Sequence, residues 1–159
     1  MPVVSLPFLR SVLKPGLFAY WQMVRGMTLG VRVMLIEEGQ VLLVKHSYMP
    51  GWYLPGGGVE RGETIHDAAA REIHEEAGAV LGAPPALFGF YYNGRMHPRD
   101  HVALLVAREW TQPVTPKVPN REIIALDRFP LDALPADATP ATRRRIDEVL
   151  NGKPPSPLW

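Results

Sequence analysis

The sequence predicts an α/β fold in which helices pack against a mixed β-sheet. Segments rich in apolar and β-branched residues occur on both sides of one long amphipathic helix, and a second helix follows the last of them. With 159 residues the chain has the length of one domain, and its 47% hydrophobic and 21% charged residues are typical of a globular protein. We therefore expect one domain with a genuine hydrophobic core.

The first strands are predicted to form a β-hairpin. Residues 29–36 are rich in β-branched side chains, and residues 37–40 form a turn that leads into the apolar segment 41–44. The following segment, 49–58, contains two prolines and four glycines and is expected to be a loop. Further strands, separated by the loops 93–100 and 111–121, are predicted at 86–92, 101–108 and 123–129.

The clearest helix is expected over residues 65–77. Thr64 is placed to be its N-cap, and Asp67 three residues later completes a variant of the capping box. Alanines occupy the middle of the segment, and Gly78 is expected to end the helix. This helix lies between the predicted hairpin and the later strands.

A last helix is indicated by Thr139 as N-cap and Pro140 at the first helical position. Ile146, Val149 and Leu150 are expected to face inward, and the run 143–145 of three arginines is expected to be a solvated face. A Pro-rich tail, residues 153–159, follows. We expect this helix and the helix over residues 65–77 to pack on the sheet.

Residues 1–26 are apolar and aromatic, and they predict an N-terminal extension of one or two short amphipathic helices. Arg10 and Lys14 interrupt the apolar stretch and Pro7 and Pro15 break it, whereas a membrane span needs about 20 continuous apolar residues. No cleavage site of an export signal follows. The extension could cover the domain, pair with a second copy in a homodimer, or lie on a membrane surface. We favour packing over membrane contact because apolar stripes generally become buried.

Charge and cysteine content exclude several classes of function. The 17 Lys and Arg residues nearly cancel the 16 Asp and Glu residues, so long nucleic acids are not expected as partners. Because the chain has no cysteine, disulfides, thiolate zinc sites and a cysteine nucleophile are excluded. This usage suits a reducing compartment, and we expect a cytoplasmic protein.

An acidic stripe marks the helix at 65–77. At about 100° per residue, Glu72, Glu75 and Glu76 fall within one arc of about 100°. Like charges at this spacing repel one another, and only Arg71 offsets the repulsion locally. Such a stripe alone is typical of a solvated helix face, but a hard cation such as Mg²⁺, which prefers oxygen ligands and substrate phosphates, would also stabilise it.

The acidic helix follows a glycine loop with a specific spacing. Residues 57–79 read G-x5-E-x7-R-E-I-x-E-E-x-G-A, and residues 54–58 read L-P-G-G-G. The seven glycine, glutamate and arginine positions of the longer pattern match by chance on the order of once in 10⁸ starts. The pattern resembles the Nudix box of the Nudix hydrolases (MutT-like proteins), with one departure at Ala79, where the family usually has a bulkier aliphatic residue. The resemblance extends over residues 27–152 and implies an α/β/α sandwich with helices on both faces of a mixed sheet.

The resemblance implies hydrolysis of a diphosphate bond with Mg²⁺ or Mn²⁺ as cofactor. By position in the motif, Glu75 and Glu76 would be the main metal ligands, and Glu72 a further or water-mediated one. A carbonyl near Gly56 would complete the protein's share of ligands. These metal ions would polarise phosphoryl oxygens and activate a water.

The same resemblance assigns roles to the loop and to Arg71. Arg71 would orient the glutamates, and Glu63 would tie the loop to the helix. Gly57 and Gly58 would let the backbone approach metal and phosphate, where a Cβ would be in the way.

The general base has several candidates, because family members carry it either on the box helix or in a loop near the last strand. Glu75 is the helix candidate and Glu122 the loop candidate, while Glu109 and Asp127 remain alternatives. A base has to reach a water at roughly 2.6 to 3.2 Å, which a sequence does not reveal.

Other residues are candidates for substrate contacts. Arg32 on the first strand and His46 at the end of the second could meet a phosphate or a base, although packing is the alternative for both. Trp52, Tyr91 and Tyr92 could stack on a nucleobase, but aromatic residues near strand ends are more often core.

The expected partner is a small substrate, a nucleoside diphosphate linked to another group. A nucleotide sugar such as ADP-ribose is the first choice, and a nucleoside triphosphate taken by a house-cleaning pyrophosphohydrolase is the second. From another class, a non-catalytic nucleotide-binding sensor remains an alternative, against which the intact acidic motif argues.

Overall fold

The computed structural model describes Tyr20 and residues 23–159. The prediction of a helical extension over residues 1–26, with its homodimer and membrane alternatives, therefore lies mostly outside the described residues; residues 23–25 are helical. Within the described part of the chain, no helix has the length and apolar character needed to cross a membrane.

A mixed sheet forms the centre of the fold. The strands are, in chain order, β1 (Thr28–Glu37), β2 (Gln40–His46), β3 (Val80–Leu81), β4 (Ala86–Tyr92), β5 (Asp100–Ala107), β6 (Trp110–Thr111) and β7 (Ile123–Pro130). Five of them form the central sheet in the order β4-β5-β1-β2-β7, in which β1 and β5 run parallel and the other neighbouring pairs are antiparallel. The two short strands β3 and β6 form a separate antiparallel pair that the sequence did not predict.

Helix α1 (Ile65–Ala77) has the ends that its sequence predicts. The Asp67 amide donates to the Thr64 hydroxyl, and the Thr64 amide donates back to the Asp67 carboxylate, both at 3.1 Å. Gly78 ends the helix in the left-handed conformation with φ 63°, which glycine adopts at little cost. These caps are local in sequence, which is why the pattern identifies them.

Helices cover both faces of the sheet, as expected. Alternate residues of β1 enter two different cores, because successive side chains of a strand point to opposite faces. Helix α1 buries Ala69 and Ile73 against one face, and α2 (Pro140–Leu150) buries Ile146 against the other. The α1 core includes Val31, Val33, Leu35, Val44 and Leu105, and the α2 core includes Met34, Leu43, Trp52, Tyr91 and Leu104.

Two expectations for α2 are wrong. Leu150 is exposed rather than inward-facing, and Arg145 is fully buried rather than part of a solvated face. The Arg145 guanidinium lies 4.2 Å from the centre of the Tyr91 ring and donates to Glu148 at 2.7 Å. Burial of this arginine is possible because an aromatic face and a carboxylate together replace water around its charge.

The tail, residues 153–159, runs beside the end of β4. The Tyr92 amide donates to the Pro157 carbonyl at 2.9 Å, and the Trp159 amide donates to the Tyr92 carbonyl at 3.1 Å. Arg145 donates to the Leu158 carbonyl at 2.8 Å, and the Trp159 ring meets the Tyr91 ring edge-on. The tail is thus fixed to both the sheet and α2.

Candidate active site

The glycine loop lies directly on β1. The Val31 amide donates to the Gly57 carbonyl at 2.8 Å, and the Val33 amide donates to the Pro55 carbonyl at 2.9 Å. Gly56 has φ 135°, and a Cβ there would lie 2.2 Å from the Val31 carbonyl oxygen. Only glycine fits this position, because both the backbone conformation and the close approach exclude a side chain.

Arg71 joins the loop to the acidic face of α1. Its Nε and one terminal nitrogen donate to the two carboxylate oxygens of Glu63, at 2.7 and 2.9 Å. The same terminal nitrogen donates to the Gly58 carbonyl at 3.0 Å, and the other donates to Glu72 at 2.8 Å. Glu63 in turn accepts from the Glu60 amide at 2.9 Å. This network fixes the Glu72 carboxylate beneath the glycine loop.

Glu76 is the most buried acid of the site, with 3% of its surface exposed. Its Oε2 accepts a hydrogen bond from the Gly56 amide at 2.8 Å. Burial raises the pKa of Glu76 to about 7, although the Gly56 amide and the charge of Arg32 act in the opposite direction. A nearby cation would therefore strongly stabilise the ionised form of this buried carboxyl group.

Glu72 and Glu75 are progressively more exposed. Burial is also the main cause that raises the pKa of Glu72, against the hydrogen bond from Arg71 that lowers it. The Glu75 side chain is 60% exposed and lies 3.6 Å from Arg71. The acidic stripe therefore leads from a buried carboxyl group to the solvent.

Glu122 joins the acids of α1 from another part of the chain. A carboxylate oxygen of Glu122, a carboxylate oxygen of Glu76 and a ring nitrogen of His46 lie within 4.8 Å of one another. Pairing of β2 with β7 brings this about, since the Ser47 amide donates to the Glu122 carbonyl at 2.8 Å. The Asn120 side chain accepts from the Glu122 amide at 2.9 Å and shapes the turn before β7.

His46 is buried beside Glu76, with its Nδ1 3.6 Å from Glu76 Oε1. The rings of Tyr48 and Tyr53 lie 5.2 and 5.6 Å away, measured between ring centres. Burial and the neighbouring charge of Arg32 lower the pKa of His46 to about 4, so the imidazole is neutral at physiological pH.

The remaining candidates lie at different distances from this centre. Arg32 donates to the Leu54 carbonyl at 3.0 Å, at the start of the glycine loop. Within the described residues, neither Glu109 nor Asp127 belongs to the cluster of Glu76, Glu122 and His46. Asp127 instead lines a cavity of about 410 Å³ beside Gln112 and Arg128.

Core packing is confirmed for two of the three aromatic candidates and is wrong for the third. Trp52 and Tyr91 are buried in the α2 core, whereas Tyr92 is exposed because it lies on β4, an outer strand of the sheet. The sequence favoured core packing for these residues, because apolar bodies near strand ends generally become buried.

The geometry suits a cationic cofactor and an anionic substrate. Carboxylates from α1 and from the turn before β7 converge with a neutral imidazole, and a backbone loop without side chains lies above Glu72. Hard divalent ions prefer such oxygen donors and complete their coordination with water or phosphate.

A family model described as the NUDIX domain matches residues 26–149 of the chain. Diphosphoinositol polyphosphate phosphohydrolase 2 of Rattus norvegicus is 45% identical over 74 residues, which are 46% of this chain and 41% of that protein. ADP-ribose pyrophosphatase of Methanocaldococcus jannaschii is 40% identical over 73 residues, which are 44% of this chain and 43% of that protein. The chain matches less than half the length of either relative.

A solved structure gives a broader match. The MutT NUDIX hydrolase from Burkholderia pseudomallei has a TM-score of 0.66 and 29% identity, over 77% of this chain and 97% of that chain. A match over 77% of the chain is far longer than the acidic helix and agrees with the α/β sandwich described above. Sequence motif, fold and family model together identify the chain as a member of the Nudix family.

Proposed function

We propose that the chain hydrolyses a diphosphate bond in a nucleoside diphosphate linked to another group, with Mg²⁺ or Mn²⁺ as cofactor. The observation that carries this proposal is the convergence of Glu72, Glu76 and Glu122 beside the side-chain-free glycine loop. In support, two similar proteins are named as a phosphohydrolase and a pyrophosphatase.

The donors of the site fit a divalent cation. Glu76 and Glu75 would be the main ligands, with Glu72 as a further one and a carbonyl near Gly56 completing the set. Burial of Glu76 without a cationic partner in hydrogen-bonding contact among the described residues supports this assignment, because a buried carboxylate is costly unless a positive charge compensates it. When bound, the ion would polarise phosphoryl oxygens and lower the pKa of a water.

The chain's own residues would position the reactants. Arg71 would hold Glu72 and the loop in one arrangement through its bonds to Glu63 and Gly58. Gly57 and Gly58 would allow phosphate close to the backbone, and Arg32 would add positive charge on the β1 side of the site. These roles follow from the contacts and from charge complementarity with a diphosphate.

We infer that Glu122 is the general base. Its carboxylate lies beside Glu76 and at the solvent-facing side of the cluster, where it could accept a proton from an attacking water. Glu75 on α1 is the alternative base. The position of Glu122 in the cluster favours it over Glu109 and Asp127.

The proposed substrate is a nucleotide sugar such as ADP-ribose, in a cytoplasmic setting. The similarity to an ADP-ribose pyrophosphatase favours this choice. A nucleoside triphosphate is the second candidate.

The test is a hydrolysis screen of nucleotide sugars, dinucleotides and nucleoside triphosphates with Mg²⁺ and Mn²⁺. Glu76→Gln should lower kcat by roughly 10²-fold or more, since loss of a ligand removes several kcal/mol of transition-state stabilisation. Asp132→Asn, a change at an exposed acid after β7, is the matched control and should be near wild type.

Glu122→Gln separates the base from the ligands. It should lower kcat by about 10² to 10⁴-fold if Glu122 transfers the proton. Binding of nucleotides without cleavage of any of them, and without an effect of metal, would favour the non-catalytic sensor and refute the enzyme proposal.

A further inference from the structure

The imidazole of His46 has donor atoms that the proposed hydrolysis does not use. Its side chain is 1% exposed, and within the described part of the chain both ring nitrogens are without a hydrogen-bond partner. Buried polar atoms are generally paired, so two unpaired nitrogens in one buried ring need an explanation. The neighbouring rings of Tyr48 and Tyr53 account for packing but leave the nitrogens unpartnered.

The surroundings of the ring are those of a metal ligand. Nδ1 of His46 lies 3.6 Å from Glu76 Oε1, and donor atoms of His46, Glu76 and Glu122 all lie within 4.8 Å of one another. Two donors about 2.1 Å from one ion are about 3.0 Å apart at a right angle and about 3.4 Å apart at the tetrahedral angle. Small side-chain movements would therefore allow His46 and Glu76 to share one ion, with Glu122 close to it.

Three separate elements supply the three groups, which makes the arrangement a built site rather than a local acidic cluster. His46 ends β2, Glu76 lies in the last turn of α1, and Glu122 precedes β7. The register of β2 against β7 shifts between Lys45 and His46. The Ser47–Glu122 backbone bond then holds His46 and Glu122 side by side.

We propose that His46 is a nitrogen ligand of a divalent transition-metal ion that is also held by Glu76, with Glu122 beside the ion as the base. The inference rests on the proposed function only in taking this ion as the catalytic cofactor and Glu122 as the base. Imidazole favours transition-metal ions such as Co²⁺ and Zn²⁺, whereas Mg²⁺ binds chiefly to oxygen. The site should therefore select a transition metal more strongly than carboxylates alone would do.

The test measures metal binding by the full chain without substrate, after chelator treatment. Calorimetry gives the affinities for Co²⁺, Mn²⁺ and Mg²⁺, and pulsed electron paramagnetic resonance of bound Mn²⁺ detects a coordinated nitrogen. His46→Phe keeps an aromatic ring between the tyrosines and removes both nitrogens. His74→Phe makes the same change at an exposed position of α1 and serves as the matched control.

Wild type and His74→Phe should bind Co²⁺ at least tenfold more tightly than Mg²⁺ and show nitrogen coupling. His46→Phe should lose the coupling and bind Co²⁺ about 10- to 100-fold more weakly, with less than a threefold change for Mg²⁺. His46→Leu, which also removes both nitrogens, is a second variant in case His46→Phe does not fold, and it should show the same losses.

Absence of nitrogen coupling in wild type, or Co²⁺ affinity of folded His46→Phe within twofold of wild type, would overturn the inference. A parallel hydrolysis screen keeps the two proposals apart. Nitrogen coupling with no hydrolysis of any nucleotide supports the ligand role and refutes the enzyme, whereas hydrolysis without nitrogen coupling refutes the ligand role alone.

Discussion

Gly57→Ala should displace a single carboxylate of the site while leaving the fold intact. A Cβ at Gly57 would lie 2.4 Å from Glu72 Oε1 and 2.7 Å from its Cδ, whereas atoms in ordinary contact are roughly 3.4 Å apart. The carboxylate therefore has to retreat by about 1 Å. Gly57 does not have a left-handed backbone conformation, so alanine brings no strain of its own.

This displacement is large for a catalytic group and small for the fold. Metal–ligand distances tolerate about 0.2 Å, and a misplacement of about 1 Å can cost about 10²-fold in rate, or about 2.7 kcal/mol. The free energy of unfolding should fall by about 1 kcal/mol or less, because the bond from Arg71 to Glu72 that the movement disturbs is partly exposed.

The assay compares kcat/KM and thermal unfolding of wild type, Gly57→Ala and Arg61→Ala. Arg61 is an exposed residue shortly after the loop, so this substitution controls for the general effect of alanine in this segment. We expect a loss of activity in Gly57→Ala alone. Full activity of Gly57→Ala, or equal losses in both variants, would refute the assignment of Glu72 to the site.

Three further substitutions test the supporting structure. Arg145→Met should lower the free energy of unfolding in urea by roughly 3–5 kcal/mol, because Glu148 would remain buried without its cation; a loss below about 1 kcal/mol would contradict this. Thr64→Ala should cost about 1 kcal/mol through loss of the α1 N-cap, and an unchanged melting temperature would show that the capping box contributes nothing. The hydrogen bond from Arg71 lowers the pKa of Glu63 from 4.5 to about 2, so its contribution to stability is present above the unfolded value and is lost as pH falls towards about 2. The difference in melting temperature between wild type and Glu63→Gln should therefore be largest above pH 5 and should shrink on acidification; a constant difference would exclude this linkage.

The local features of the fold could be predicted from sequence. The ends of α1 depend on Thr64, Asp67 and Gly78, which lie within or next to the helix, and the structure has the helix at the expected residues. The hairpin of β1 and β2 follows similarly from a turn flanked by β-branched segments. Strands β3 and β6 were not predicted because a segment of two residues is too short to show the alternating pattern of a strand.

The parts that depend on long-range contacts could not be predicted. His46 and Glu122 are 76 positions apart, and only the β2–β7 register brings them to the same ion-sized space. The sequence marks both residues as candidates for different roles, but it contains no signal that they lie next to each other in the fold. Arg145 is a second example. The Tyr91 ring, which stabilises its buried guanidinium, belongs to a distant strand.

The tail beside β4 also affects whether copies of this protein can associate through the edges of their sheets. β4 is an outer strand, and an unpaired outer strand is a template on which a second polypeptide can add by backbone hydrogen bonding. Residues of the tail occupy that position at Tyr92, and Pro154, Pro155 and Pro157 have no amide hydrogen to offer onward. The tail thereby covers part of this edge of the sheet, which should limit aggregation through the edge even at high concentration.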